Sequence, residues 1–147
     1  MKLTLIVVLS GALAVSPLAA EKKVKLESLP AAVQAAVKEQ TQGATLVGVS
    51  KEKEKGKTVY EVETKVGGKT RDLTLDAAGQ VVMVEEEVDI TSIPAAAREA
   101  IEKKAIGAKI KLVEKVTQAG AVRYESIIEK GRKSSEFTVN PDGTVHK

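Results

Sequence analysis

The stretch SLPAAVQAAVKEQTQGATL, residues 28–46, decides the fold because it returns 64 positions later as SIPAAAREAIEKKAIGAKI, residues 92–110. The same offset aligns residues 24–83 with residues 88–147 without a gap, and 18 of the 60 aligned pairs are identical. Self-similarity at a fixed period indicates that one supersecondary unit is used more than once. The sequence therefore predicts two copies of one small module in tandem.

The repeated stretch predicts a helix at the start of each copy. Ser28 and Ser92 are the predicted N-caps, since each precedes a proline that the first helical turn tolerates. Apolar residues then recur at spacings of four, seven and eight, which is the pattern of a helix with one apolar side. Gly43 and Gly107 are predicted to end the helices, because glycine adopts the left-handed conformation at little cost.

Four strands are predicted after each helix, separated by short turns rich in glycine. Short connections make neighbouring strands antiparallel, so each copy is predicted to be a helix packed on one face of a meander sheet. The predicted fold class is α+β, with two tandem α-β-β-β-β repeats at residues 21–87 and 88–147. The predicted strands are 46–51, 58–66, 69–75 and 81–88 in the first repeat, and 110–116, 122–130, 133–139 and 144–147 in the second.

Alternation along the predicted strands separates a helix-covered face from a polar face. Tyr60 and Tyr124 fall on the helix-covered face. The opposite face is predicted to be polar and open to water or to a partner, although Ile127 interrupts its pattern without a reason visible in the sequence. The residues proposed to form this binding face are Glu61, Glu63, Lys65, Arg123, Glu125 and Glu129.

Residues 1–20 have the pattern of a secretory signal peptide. Lys2 precedes a mostly apolar run from Leu3 to Val15, and Leu18-Ala19-Ala20 precedes a charged stretch, so cleavage is predicted after Ala20. The apolar run is shorter than the about 20 residues that span a bilayer. We therefore expect an exported protein, periplasmic or secreted, with no membrane segment after cleavage.

The composition narrows the classes of partner and of chemistry. Without residues 1–20 the chain keeps 22 basic and 20 acidic side chains, and these are interspersed along the sequence. Nucleic-acid binding is not expected, because it needs a clustered basic face. The chain has no cysteine, and its one histidine is the penultimate residue, His146. A zinc site needs three or four ligands, and a catalytic triad needs a histidine beside its nucleophile. We therefore predict no enzyme activity, no cofactor and no metal.

Two acidic features have alternative interpretations. Glu85, Glu86, Glu87 and Asp89 are dense enough in oxygen ligands to suggest a Ca²⁺ site, but the favoured interpretation is a solvated connector between the repeats. Glu61 and Glu125 occupy matching positions. They are predicted to form surface salt bridges, because the sequence shows no apolar pocket that would raise the pKa of either carboxyl.

The order of these elements, found twice, resembles the PepSY-like domains, in the tandem form described as β-lactamase-inhibitor-like. That resemblance implies an exported, non-enzymatic α+β module, for which a role in binding or restraining peptidases has been proposed. The residues that carry it are Leu29-Pro30 and Ile93-Pro94 at the helix starts, Gly43 to Leu46 and Gly107 to Ile110, Tyr60-Glu61 and Tyr124-Glu125, and Gly79 to Val81 and Gly143 to Val145.

The expected function is therefore that of a binding module in the bacterial cell envelope. Its partner would be an unknown protein or peptide, held by the open sheet face or by a strand edge. β-Lactamase inhibition through an aromatic sheet face is not expected, because the chain has no tryptophan and both tyrosines are predicted to face the helices. The alternative is a small-ligand or cation sensor linked to envelope stress.

Overall fold

The structure is a computed structural model that describes residues 22–146; the predicted leader, residues 1–20, lies outside the described residues. Within them the chain forms two α-helices and eight β-strands, so the α+β class is confirmed. The helices are α1 (Ala31–Gln40) and α2 (Ala95–Lys104). The strands are β1 (Lys22–Lys23), β2 (Thr45–Glu54), β3 (Lys57–Val66), β4 (Lys69–Asp76), β5 (Val81–Glu87), β6 (Lys109–Gln118), β7 (Ala121–Lys130) and β8 (Lys133–Val139).

All eight strands belong to one antiparallel sheet, in which their spatial order is their order in the chain. The two predicted meanders are continuous because β5 pairs with β6, from Met83 opposite Gln118 to Glu87 opposite Glu114. This pairing satisfies backbone groups that would otherwise lie on an exposed strand edge. Of the strand predicted at 144–147, the described residues show a single bridge, between Val139 and Val145.

The predicted N-caps are wrong. Ser28 and Ser92 lie in short 3-10 helices, Leu26–Ser28 and Ile90–Ser92, and their hydroxyls donate to the backbone carbonyls of Lys25 and Asp89. The α-helices begin after Pro30 and Pro94 instead. A proline forces the residue before it out of the helical region, so no helix can run from the serine through the proline.

Both helices pack on the same face of their strands, as the alternation predicts. Tyr60 and Tyr124 are buried in these cores, and burying a large side chain contributes about 2 kcal/mol or more to folding. The first core consists of Leu29, Val33, Val37, Val49, Tyr60, Val62, Leu73 and Leu75. The second consists of Ile93, Ala97, Ile101, Val113, Tyr124 and Val139, with Phe137 packed against it.

Candidate functional site

The side of the sheet away from the helices carries most of the protein's buried charge. We call it the carboxylate face. Strand pairing places its members next to one another, since residues paired across neighbouring strands project to the same side. Its acidic residues include Glu52 and Glu54 of β2, Glu61 and Glu63 of β3, Asp72 of β4, Glu85 and Glu87 of β5, Glu114 of β6, Glu125 and Glu129 of β7 and Glu136 of β8.

Three of these residues form a tight cluster at the junction of the two halves of the chain. Glu85, Glu114 and Glu125 lie on three successive strands, and each contributes one carboxylate oxygen to a group whose members are within 4.8 Å of one another. Glu114 is paired directly with Glu87 on one side and with Glu125 on the other. The β5–β6 pairing therefore creates the cluster, because it brings Glu85 against the strands of the second half.

Burial dominates the electrostatics of this cluster. Glu85 is 7% exposed and Glu114 is 4% exposed. Removing a carboxylate from water penalises its charged form, and this burial, with neighbouring negative charges as a lesser cause, raises the pKa of each of these two carboxyls to about 7. Burial likewise raises the pKa of Asp72 to about 6, although a hydrogen bond from the Thr64 backbone N–H opposes the rise.

Glu125 is the most strongly perturbed member. Burial and the adjacent charge of Glu136 raise the pKa of the Glu125 carboxyl to about 8, with further contributions from Glu85 and Glu114. The prediction of an ordinary surface salt bridge is therefore wrong for Glu125. The apolar surroundings that the sequence did not reveal come from residues on the same face, since Val116 is fully buried there and Ile127 is paired with Leu112 and Glu136.

Few cations lie on this face to compensate the carboxylates. Arg123 lowers the pKa of Glu85, but its guanidinium donates two hydrogen bonds of 3.1 Å to the Gln118 side-chain oxygen. Lys23 forms an ion pair of 3.6 Å with Glu63 at the other end of the face. The Lys23 side chain is 69% exposed, so its pair with Glu63 contributes little, and neither cation neutralises the central cluster.

The six residues proposed for a binding face are distributed along the carboxylate face. Glu61, Glu63, Arg123 and Glu125 lie towards its middle rows, whereas Lys65 and Glu129 lie near strand ends, paired with Thr45 and with Lys109. The expectation that this face is polar and open is wrong at its centre, because buried Val59, Met83 and Val116 are interspersed with the acids.

The sequence missed Glu114 and Glu136, and it misjudged Glu85. The run 85–87 is a sheet strand and not a solvated connector. Glu85 and Glu87 project to the carboxylate face, while Glu86 projects to the other side and lies 3.8 Å from Arg71. Alternation could have assigned the faces of each strand, but the contact between β5 and β6 depends on tertiary pairing and has no local signal.

This arrangement can perform two kinds of chemistry. Clustered carboxylate oxygens can coordinate a hard cation such as Ca²⁺ or pair with a cationic side chain, and carboxyls with raised pKa values can hold protons near neutral pH. A nucleophile activated by a base is not found among residues 22–146, where the lone histidine, His146, lies at the exposed end of the described chain.

One family model matches a segment within the first half of the chain. Residues 30–81 match the family model of the peptidase propeptide and YPEB domain, PepSY. The resemblance predicted from the sequence is confirmed for this segment, which includes α1 and β2 to β4. No curated protein matches the chain significantly.

Several solved structures from Bacteroides share the fold of this chain. A Bacteroides eggerthii protein, provisionally described as periplasmic, is 18% identical, with a TM-score of 0.66 over 81% of this chain and 86% of that one. A DUF2874 family protein from Bacteroides uniformis is 20% identical, with a TM-score of 0.63 over 80% and 86%. A BLIP-like protein from Bacteroides fragilis is 20% identical, with a TM-score of 0.58 over 81% and 84%.

Helix length and hydropathy bear on membrane insertion. Between residues 22 and 146, neither helix is long and apolar enough to cross a bilayer. The predicted periplasmic or secreted localisation agrees with the description of the Bacteroides eggerthii protein.

Proposed function

We propose that this chain is an exported, non-enzymatic binding module of the bacterial cell envelope, which holds a positively charged segment of a protein or peptide against its carboxylate face. The observation that carries the proposal is the concentration of carboxylates on one side of the sheet, three of them within 4.8 Å of one another. A basic side chain entering this cluster gains charge-assisted hydrogen bonds, which are stronger than neutral ones.

The PepSY domain supports a peptidase as the class of partner. The family description refers to the propeptides of peptidases, and a propeptide acts by binding its own enzyme. In this proposal the exported chain restrains a peptidase of the envelope in trans. The BLIP-like name of the Bacteroides fragilis protein is compatible with an inhibitory binding mode, although an aromatic contact surface is not part of the proposal, since both tyrosines are buried under the helices.

The proposal includes a tandem architecture, with one PepSY-like repeat at 21–87 and another at 88–147. Its support is the common order of elements, since a helix is followed by antiparallel strands in each half. Gly79 and Gly143, which the 64-residue offset aligns, also have nearly the same φ, 81° and 82°. The signal peptide at 1–20 completes the proposed organisation.

Charge reversal on the carboxylate face tests the binding mode. The exported protein is immobilised and incubated with envelope extract. The proteins that it retains are compared with those retained by the double variant Glu61→Lys with Glu63→Lys. The matched control is Glu99→Lys with Glu102→Lys, at exposed positions of α2. Wild type and control should retain the same peptidase and slow its turnover, and the face variant should not. Equal retention by all three proteins would contradict the proposal.

A second candidate function, cation sensing, is favoured by the same three-residue cluster. Glu85, Glu114 and Glu125 together offer oxygen ligands of the kind that Ca²⁺ prefers, and their mutual repulsion would be relieved by a divalent ion. The acidic residues 85–89 do not form one cation site together, because Glu86 projects away from the cluster.

A melting experiment at pH 8, where the cluster is most ionised, tests this second function. A ligand selective for the folded state stabilises by about 2.7 kcal/mol at a hundredfold excess over its dissociation constant. Millimolar Ca²⁺ should therefore raise the melting temperature of wild type and of Glu99→Gln, but not of Glu114→Gln. The idea of a cation sensor fails if Ca²⁺ and Zn²⁺ leave the wild-type transition unchanged.

A further inference from the structure

A groove of about 390 Å³ lies on the helix side of the sheet, at the edge formed by β1 and β2. Most of its lining residues project to the side of the sheet opposite the carboxylate face, and Glu52 of β2 is the exception. Its walls include Lys22 of β1, Lys51 and Lys53 of β2, Ser28 and Leu29 before α1, and Tyr60 of β3. The groove therefore combines an apolar base, two hydroxyl groups, three ammonium groups and the carboxylate of Glu52.

The three lysines converge through strand geometry. Lys22 is paired directly with Lys51 across β1 and β2, and Lys53 projects to the same side two residues further along β2. Like charges directly opposite one another on neighbouring strands are destabilising. None of the three forms an ion pair with another residue between 22 and 146. Between residues 22 and 146 the lining of the groove therefore sets three ammonium groups against one carboxylate, that of Glu52, and carries a net positive charge.

In the second half of the chain, the corresponding lysine is paired with a carboxylate of the same chain. The 64-residue offset aligns Lys51 with Lys115 and Lys22 with Glu86. Glu86 and Lys115 are also paired directly, across β5 and β6, and their charged atoms lie 4.0 Å apart. At the corresponding place in the first half, the carboxylate is replaced by Lys22. An anion supplied from outside would restore there the charge pairing that the second half contains.

We propose that this groove is a binding site for an anionic group, a phosphate or a carboxylate, held by Lys22, Lys51 and Lys53 and flanked by the hydroxyl of Tyr60. Ammonium groups bind such anions as point charges, and a hydroxyl donor adds direction. The groove is open at the sheet edge, so the anion can be free or can be the headgroup of an anionic lipid. This site is independent of the function proposed for the carboxylate face.

Backbone amide shifts in a phosphate titration test the site on the exported form of the whole protein. At constant ionic strength, inorganic phosphate should produce saturable shifts confined to residues near 22–29 and 51–60. Lys51→Ala with Lys53→Ala should weaken phosphate binding by about tenfold, because two charge contacts are lost. Lys115→Ala, the aligned lysine of the second half, should leave it unchanged. Shifts that are linear in phosphate, or equally affected by both variants, would overturn the proposal.

A charge reversal gives a second, independent readout. Lys51→Glu recreates beside Lys22 the opposite-charge pair seen at Glu86 and Lys115. It should raise the melting temperature in chloride buffer and abolish the additional stabilisation by phosphate that wild type shows. A lower melting temperature for this variant, with the phosphate effect intact, would contradict the proposed site. Vesicles containing phosphatidylglycerol distinguish the sources: wild type should co-sediment with them if the anion is a lipid headgroup, and remain unbound if it is a free anion.

Discussion

Glu85 of β5 and Glu114 of β6 place carboxylate oxygens within 4.8 Å of each other across the strand pair that joins the two halves of the sheet. Both side chains are buried, and burial raises the pKa of each to about 7. Their ionisation therefore acts directly on the pairing that makes the sheet continuous.

Stability should fall as the pH rises from about 4 to 8. The folded pKa values of Asp72, Glu85, Glu114 and Glu125 lie between about 6 and 8, above those of an unfolded chain. The folded state thus binds more protons, so the stabilisation is complete below the unfolded pKa and is lost as the pH passes through the folded values. Thermal unfolding should give a higher melting temperature at pH 5 than at pH 8.

The matched variants for this profile are Glu114→Gln and Glu99→Gln. Glutamine at 114 resembles the protonated acid, so the difference between pH 5 and pH 8 should shrink. Glu99 is exposed on α2, and its replacement should leave the difference as in wild type. A melting temperature that rises steadily between pH 5 and pH 8 would refute the linkage.

The two tyrosines should behave as core residues. Tyr60 and Tyr124 are only 5% and 9% exposed and belong to the two hydrophobic cores. Replacing either by alanine should lower the free energy of unfolding by about 3–5 kcal/mol, whereas phenylalanine, which keeps the ring, should cost much less. Denaturant titration measures both changes. If alanine leaves stability nearly unchanged and partner retention collapses, the rings form a binding platform instead.

Gly79 and Gly143 should be the least replaceable glycines. Each has a positive φ, and a Cβ added to either would lie 2.6 Å from a helix carbonyl oxygen, that of Ala32 or of Ala96. Alanine at either position combines left-handed strain with a steric clash and should cost about 2–5 kcal/mol. Similar losses at the two positions would also support the tandem architecture proposed above.

Gly56 provides the control for that comparison. Its φ is +80°, but no atom lies within 4 Å of an added Cβ. Gly56→Ala therefore isolates the cost of the left-handed backbone, which is about 1–2 kcal/mol. If all three alanine variants unfold at the same denaturant concentration, the close approach of turn and helix does not constrain the fold.

Local patterns in the sequence determined the strands, the turns and the faces. β8 was predicted with its observed bounds, and Tyr60 and Tyr124 were assigned to the helix side, because alternation and glycine turns depend on neighbours in the chain. The predicted helix starts were wrong by two or three residues, because the effect of proline on the preceding residue outweighed the capping preference of serine. Strand β1, only two residues long, exists through its pairing with β2 and leaves no periodic signal.

The tertiary structure alone decided how the charges are sorted. In the sequence, acids and lysines alternate, as at Lys51 to Glu54, and the net charge is nearly balanced. The sheet sends alternate residues to opposite sides, which collects acids on one face and lysines in the edge groove. Glu85 and Glu125 are 40 positions apart in the chain, and only the pairing of β5 with β6 and of β6 with β7 brings their carboxylates together. Burial and charge proximity, which set the chemistry of both sites, are properties of that packing and not of any local stretch of sequence.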